Sequence, residues 1–506
     1  MPVNISSQQL RQMIQQSAKH MQTQVSLKQM VEFGRTPSQA TLLRAAQFIH
    51  HELPIRLARR VVELENLPYN LSNMSSVKKV AEWYQQSYLD LVTFPPPEDV
   101  GLPKTILRDI SLTEEDGVSK TITEGKPKAI LDAGLLKQVA AYNARFVDCI
   151  ENIKTRHDPV AINMAQGIQE LKAHWKETKS TPVLESASSG PSAGIDAGAG
   201  GGVDGGDLLG NSTFRVTRPE TNSDHGGAGA GGGGGGGGAS AGAVGTHEQM
   251  QMLKNQEAVE NLLPTDLQSF LDRFYMSRIG IRMLIGQHVA LAKASSAGSK
   301  SSPDYVGIIC TKTSIRDIVT QAAEHAQGIL QDTMGVFSPP EIKLFISHSG
   351  VLGAKVDHAV DDVHFMYVPS HLHHCLFELF KNSLRAVVET HGLDMDGEYP
   401  PIKVIVAEGN EDITIKISDE GGGIPRSGMP LIWTYLYTTA QRQDLEDAMS
   451  SEYRAPMAGF GYGLPLSRLY LQFFGGDLKV ISMEGFGTDA YLHLNRLSDS
   501  TEPLPS

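Results

Sequence analysis

His371-Leu-His-His-Cys-Leu-Phe-Glu-Leu-Phe-Lys-Asn-Ser-Leu-Arg385 is the stretch that decides the fold. Glu378 and Asn382 stand four residues apart, so on a helix they share one face, with Cβ atoms about 6 Å apart. His374 lies one turn earlier on that face. An amide oxygen can ligate Mg²⁺, a carboxylate can take a proton from an attacking hydroxyl, and an imidazole can orient that carboxylate. Alone, the spacing describes a solvated polar face equally well. The sequel decides between the two.

Asp419-Glu-Gly-Gly-Gly-Ile-Pro425 follows an alternating run with Ile413, Ile415 and Ile417. Glycines after a strand-end Asp let backbone approach a ligand, and a buried carboxylate can accept an amino proton from adenine. Gly459-Phe-Gly-Tyr-Gly-Leu-Pro465 then leads into a helical pattern over Leu466–Phe474. Glycine amides at a helix start form a phosphate site. Gly485-Phe-Gly-Thr-Asp489 precedes the last strand-like run. A dinucleotide-binding glycine motif would follow the first strand of a βαβ unit, with an acid about 20 residues on. Here Ala455-Pro-Met-Ala458 precedes the glycines, near the end of the chain. The phosphate-loop pattern and the His-Arg-Asp and Asp-Phe-Gly signatures of ordinary protein kinases are absent.

Around these motifs, helical Ile315–Thr333, Leu372–His391 and Pro465–Phe474 alternate with strand-like runs. The runs are Glu341–Ser347, Asp362–Val368, Ile402–Glu408, Asp412–Ser418, Asp477–Ser482 and Thr488–Leu494. The pattern predicts an α/β sandwich over 303–497, a mixed sheet with helices on one face. Upstream, apolar residues recur at helical spacing over Leu42–Ile55, Val77–Leu91, Leu135–Ile153, Ala161–Trp175 and Leu263–Ala292. Such helices bury their stripes most simply as a bundle, here over 31–293, with a boundary at the Ser/Gly/Lys-rich Ala294–Pro303. The fold class is therefore α+β. Residues 177–247 are Gly, Ala and Ser with an unbroken Gly231–Gly238 run, which predicts a disordered loop between two helices of one bundle.

The 506 residues carry a net charge of −13, which argues against a non-specific nucleic-acid binder. No apolar run is long enough to cross a bilayer, so membrane insertion is not expected. Cys149, Cys310 and Cys375 are widely spaced, suggesting neither a disulfide framework nor a zinc site. Residues 1–31 lack Asp and Glu and carry Arg11, Lys19 and Lys28, which suits a targeting segment over 1–30 or an ordinary amphipathic first helix.

The ordered set E-x-x-x-N, DxGxG, GxGxG and GT resembles the GHKL superfamily, whose nucleotide domain has the Bergerat fold. In detail the chain resembles the mitochondrial pyruvate dehydrogenase kinases. The resemblance covers His373–Arg385, Asp419–Pro425, Tyr435–Ala440, Gly459–Tyr470 and Gly475–Leu492. In the helical half it covers Phe33-Gly34, Gln47-Phe-Ile49, Glu52–Ala58, Trp83-Tyr84 with Ser87, Arg156-His157 and Phe274–His288. The polar tail 498–506, with Ser498-Asp-Ser-Thr-Glu-Pro-Leu-Pro505, resembles plant-type members.

That resemblance implies an ATP- and Mg²⁺-dependent serine kinase of the mitochondrial matrix that phosphorylates and inactivates the E1 α subunit of pyruvate dehydrogenase. It also implies a homodimer and docking to an E2 lipoyl domain through the regulatory helical half. By motif, Glu378 is the general base, His374 its support and His157 a second active-site histidine. The ATP residues are Asn382 (also the Mg²⁺ ligand), Lys381, Arg385, Asp419, Gly421, Gly423, Thr438, Thr439, Gly459, Phe460, Gly461, Tyr462, Gly463, Leu464 and Thr488. Tyr84, Ser87, Lys154, Ser277, Arg278, Ile281 and Arg282 match a regulatory pocket for pyruvate-like acids, which arginine binds through charge-assisted pairs. Lys154 stands where animal members carry Arg, a departure from the family pattern that bears on the strength of that pocket. Their Asp-Trp element, which helps hold the lipoyl domain, is absent after Leu497, so that docking mode does not transfer.

Three other readings stay open: a branched-chain 2-oxo acid dehydrogenase kinase, a histidine autokinase with His157 as acceptor, and a non-kinase GHKL ATPase. Against the autokinase, about 200 residues separate His157 from the nucleotide domain, whereas such kinases place the acceptor on a helix immediately before it.

Overall fold

A computed structural model describes residues 5–102, 133–180, 263–296, 303–348, 362–395, 397–438 and 461–504. Thr439, Gly459, Phe460 and residues 181–247 of the glycine-rich insert lie outside them. One compact unit takes in Met1–Trp175 together with Lys254–Ser506, and Lys176–Leu253 form another.

Helices α1 (Ser7–Ser17), α2 (Leu27–Gly34), α3 (Gln39–Glu65), α4 (Ser75–Val92), α5 (Ala133–Arg156), α6 (Val160–Ser180) and α7 (Thr265–Ser296) make up the helical half. Serine caps start the first three: Ser6, Ser26 and Ser38 each accept from a backbone N–H three residues on, and Gln9 and Gln29 reciprocate at the first two. Central α3 packs against α1, α4, α5 and α7. Its apolar stripe, Leu43, Leu53, Leu57, Val61 and Leu64, is fully buried. The N-terminal segment belongs to this half, because α1 buries Ile14 and Ser17 Oγ lies 2.8 Å from Tyr88 Oη. Helix α6 runs to Ser180, past the Trp175 end expected for it and into the segment read as insert.

Two sheets follow. The five-stranded one has the order β3 (Ile342–His348), β5 (Ile402–Glu408), β6 (Asp412–Asp419), β8 (Gly487–Asn495), β7 (Asp477–Met483). Its β3–β5 pair is parallel and the others antiparallel. Helices α8 (Ile315–Met334), α9 (Pro369–His391) and α10 (Gly463–Gln472) cover it; α9 packs against α8, α10 and β6, and α10 also against β7. The sandwich read from the sequence is therefore present, with one correction. The expected strand within Asp362–Val368, β4 (His364–Tyr367), does not join the large sheet. It pairs with β2 (Ile309–Ser314), which pairs with β1 (Tyr305–Val306), in a small antiparallel sheet.

Strand alternation sets the stage for the site. Along β6 the inward positions are Ile413, Ile415, Ile417 and then Asp419, so the period of two buries a carboxylate beside three isoleucines. Helix α9 begins with Pro369 at its first turn and ends at Gly392. Its buried stripe, Leu372, Cys375, Leu376, Leu379, Phe380 and Leu384, carries Glu378 with it.

Candidate active site

Glu378 is 5% exposed. Its Oε1 accepts from Lys381 Nζ at 2.8 Å, and its Oε2 lies against Gly463, the first residue of α10. A Cβ added at Gly463 would stand 2.4 Å from that oxygen. The expected phosphate-binding Lys381 is thus held on the expected base, with Nζ also 5.0 Å from the Phe377 ring. Asn382 lies half-buried one turn beyond Glu378, and Arg385 Nε faces Glu389 at 3.5 Å.

His374 does precede Glu378 on the same side of α9. Burial lowers its pKa most, and the neighbouring Glu378 charge only partly offsets this, so the ring is neutral near pH 7. Its Nε2 has no partner among the described residues, and its ring meets Tyr470 of α10 edge-on at 5.1 Å.

Asp419 is the best-satisfied group of the site. Oδ2 accepts from Ser383 Oγ at 2.7 Å; Oδ1 accepts from Gly421 N at 3.1 Å and Thr488 N at 3.2 Å. Burial raises its pKa, and these three donors work against that rise. Thr488 is its register partner on β8, and Thr488 Oγ1 lies 2.9 Å from Ser482 Oγ. The glycines after Asp419 are needed by the protein itself. An added Cβ would meet Ala386 Cβ at 2.6 Å from Gly421, and Met483 O at 2.0 Å from Gly423, whose φ is +71°.

The described part of the Gly459–Pro465 stretch is tied to the helical half. Gly461 (φ +72°) leaves space for Tyr437 O, which an added Cβ would meet at 2.4 Å. Beside it Leu436 holds a left-handed backbone, φ 67°, a conformation that costs a branched residue energy. Tyr462 is fully buried, Leu464 half-buried at the start of α10, and Thr438 half-buried at the end of its described stretch. Tyr462 packs on Tyr435 and on Tyr275 of α7, with ring centroids 5.3 and 5.9 Å away. Tyr435 Oη donates to Asp272 Oδ1 at 2.7 Å, and Tyr435 N to Gln268 Oε1 at 3.0 Å.

The residues matched to a regulatory pocket also come together, and His157 is among them. Ser87 Oγ donates to Trp83 O at 2.7 Å, which uses its only proton. It therefore accepts from Arg156 Nη1 at 2.9 Å and from His157 Nε2 at 3.0 Å, a network that assigns the Nε2–H tautomer. The His157 ring stacks on Tyr84 at 4.4 Å, and Arg278 Nη2 donates to His157 O at 3.2 Å. Burial, then the charge of Arg278, pulls the His157 pKa down to about 3. Expected beside Glu378, His157 makes no hydrogen bond or ring contact with it among the described residues.

Ser277 and Ile281 are buried, Lys154 is half-buried, and Arg282 pairs with Asp158 at 2.8 Å. Among the described residues Tyr84 Oη and Arg278 Nε are buried without a partner, which fits a place kept for an anion.

Sequence reasoning missed Ser383, Ser482, Gln268, Asp272 and Arg60. The last is 1% exposed, and its charge with those of Arg278 and Arg282 surrounds the Tyr84 hydroxyl, which burial pushes up to about 12. Only Ser383, next to Asn382, had a local signal.

A family model described as mitochondrial branched-chain alpha-ketoacid dehydrogenase kinase matches residues 24–189 and 242–310. One described as histidine kinase-, DNA gyrase B-, and HSP90-like ATPase matches residues 367–498. The mitochondrial pyruvate dehydrogenase (acetyl-transferring) kinase of Schizosaccharomyces pombe is 35% identical over 531 residues, 99% of this chain and 100% of that protein. The one from Arabidopsis thaliana is 38% identical over 487 residues, 96% and 93% of the two chains. Isozyme 1 of Homo sapiens is 32% identical over 482 residues, 95% and 79%.

Proposed function

This chain belongs to the mitochondrial pyruvate dehydrogenase kinase family, and from that premise we propose that it transfers phosphate from ATP to a serine of the dehydrogenase E1 α subunit, inactivating it. The observation that carries this reading is the meeting of Glu378 with Gly463. It puts a buried carboxylate at the start of the helix whose amides and preceding glycines would receive the phosphates.

In this reading Glu378 takes the proton of the serine hydroxyl, assistance worth roughly 10²–10⁴-fold. Lys381 holds the carboxylate in place. Asp419 takes the adenine amino group, with Thr488 beside it. No group of three His, Cys, Asp or Glu side chains suited to a metal occurs among the described residues. An amide such as Asn382 fits Mg²⁺, which keeps water and phosphate oxygens as its other ligands. The ion would neutralise phosphate charge there. The pocket around Tyr84, Ser87, His157 and Arg278 is proposed for a small carboxylate regulator, with His157 as a pocket member.

Residence in the mitochondrial matrix, like the relatives' mitochondrial naming, goes with this substrate. A homodimer is supported by Ile481 and Met483 on edge strand β7 and Phe486 in its turn, all more than half exposed. Docking to a lipoyl domain would use the helical half by a route that needs no Asp-Trp element.

Incubation with ATP and purified E1 from both dehydrogenases tests the reading. Phosphoserine on the pyruvate enzyme is expected. Phosphorylation of branched-chain E1 alone would move the chain to the other branch. Acid-labile phosphate on His157, or free phosphate alone, would overturn the kinase reading. His157 is 1% exposed and already bonded, which suits a phosphoacceptor poorly.

A further inference from the structure

Residues 498–502 fold back onto the start of α2. Lys28 N donates to Ser498 O at 3.2 Å, and Glu502 N to Val25 O at 3.0 Å. Ser26 and Thr501 form an antiparallel bridge between these bonds, and Ser498 Oγ donates to Met366 O at 2.9 Å. This contact delivers Glu502 into the protein interior, where it is 2% exposed.

Its partner is Arg56 of α3, also 2% exposed. Arg56 Nη1 donates to Glu502 Oε2 at 3.0 Å, and Nη2 to both Glu502 Oε1 and Thr23 O. Arg56 Nε donates to Glu52 Oε1 at 2.8 Å. One guanidinium thus serves two buried carboxylates, and Glu52 Oε2 has no partner among the described residues. A surplus buried negative charge costs stability and is poor evidence of a stabilising device. Glu52 alone, one turn away on α3, would neutralise Arg56. The second carboxylate comes from the far end of the chain and calls for another explanation.

Its surroundings supply one. Gly280 of α7 lies beneath the pair: a Cβ there would meet Arg56 Nη1 at 2.8 Å, Glu502 Oε2 at 2.9 Å and Phe473 Cε2 at 3.5 Å. Phe473 is buried and caps the C-terminal end of α10. Elements from both halves and the tail therefore converge at Gly280. Helix α10 spans ten residues, about 15 Å. At its other end Gly463 touches Glu378. A rigid rod this short transmits a shift at Phe473 to Gly463.

We propose that Glu502 is a positioning residue: by pairing with Arg56 over Gly280, it seats Phe473 and so fixes α10 at the nucleotide site. This rests on the reading of α10 as part of that site, and not on which protein is phosphorylated.

The test uses the full chain and ATP binding measured directly by titration, with turnover and thermal midpoint followed separately. Glu502→Gln keeps the size of the side chain and leaves Arg56 paired with Glu52, so the fold survives. It is expected to weaken ATP binding three- to tenfold and raise KM for ATP alike, with kcat at saturating ATP within twofold of the parent. Glu502→Asp, which keeps the charge, should restore part of the loss. Gly280→Ala, which presses on the same junction from α7, should give the same split. ATP affinity unchanged in Glu502→Gln, with or without a lower thermal midpoint, would overturn the proposal and leave a merely structural ion pair. Failure to phosphorylate any dehydrogenase would overturn the substrate reading without touching this result.

Discussion

Gly463 and Glu378 are in contact: helix α10 begins where the proposed base ends, with no room for a methyl group between them. Replacing Gly463 by Ala should therefore displace the carboxylate or the start of α10. The expected cost is about 1–3 kcal/mol of stability, as for other overpacked sites. The expected fall in turnover is larger than that cost explains. Comparing kcat with the thermal midpoint checks this; parental turnover would show that the contact has no catalytic weight.

Glu378→Gln should separate binding from chemistry. The amide keeps the shape of the side chain, and Lys381 keeps its place over Phe377, so ATP should bind within a few-fold of normal. Transfer should drop by roughly 10²–10⁴-fold, the usual worth of general-base assistance. Single-turnover phosphate transfer at saturating ATP is the measurement, and a variant with full rate would remove Glu378 from the base role.

Asp419→Asn exchanges an acceptor for a group that is half donor. Three donors converge on the carboxylate, from Ser383, Gly421 and Thr488, and the amide NH₂ can accept none of them. One or more is then left buried and unpaired, at about 1–3 kcal/mol. Both the thermal midpoint and ATP affinity should fall. A loss of affinity at unchanged stability would mean that the amide had found a satisfied orientation.

Acid should destabilise the fold through histidines buried in neutral form. Burial holds His157 and His371 at about 3 and His288 at about 4, against 6.5 for a solvated ring. Above pH 6.5 both folded and unfolded chains are neutral at these sites. As pH falls below 6.5 the unfolded chain takes up protons first, so stability is lost down to the folded values, by up to about 1.4 kcal/mol per pH unit for each ring. Among the described residues neither ring nitrogen of His288 has a partner, and the ring meets Phe146 edge-on at 5.6 Å. His288→Leu should leave stability at pH 7.5 intact and reduce proton uptake on unfolding by nearly one proton at about pH 5. An unchanged uptake would contradict the assignment.

The large sheet and its helices were legible because local pattern specifies them. Strand β6 alternates Ile413, Ile415, Ile417, and α9 repeats its apolar residues at helical spacing. What escaped was pairing over distance. Strand β2 reads Ile-Cys-Thr-Lys-Thr-Ser, with no clear alternation, and β1 has two residues. Without them β4 had no visible partner except the large sheet. Glu378, Asn382 and Asp419 stand out in the sequence because motif spacing singles them out. The Tyr435–Asp272 bond joins residues 163 apart, and the Arg56–Glu502 pair residues 446 apart. No local rule tells a tail glutamate that it ends in the interior. His157, expected at the active site from its motif, stacks on Tyr84, a contact between residues 73 positions apart that no local rule encodes.

The donors around Asp419 also bear on which purine the site would admit. A carboxylate held by three N–H and O–H groups stays an acceptor and offers its remaining lone pairs only to a donor. The 6-amino group of adenine is such a donor. Guanine carries a carbonyl oxygen at the same ring position, and two acceptors facing one another in a dry pocket repel. With the base seated at Asp419, discrimination against GTP would follow from the hydrogen-bond polarity of one side chain, enforced by the Ser383 hydroxyl and the Gly421 and Thr488 backbone amides.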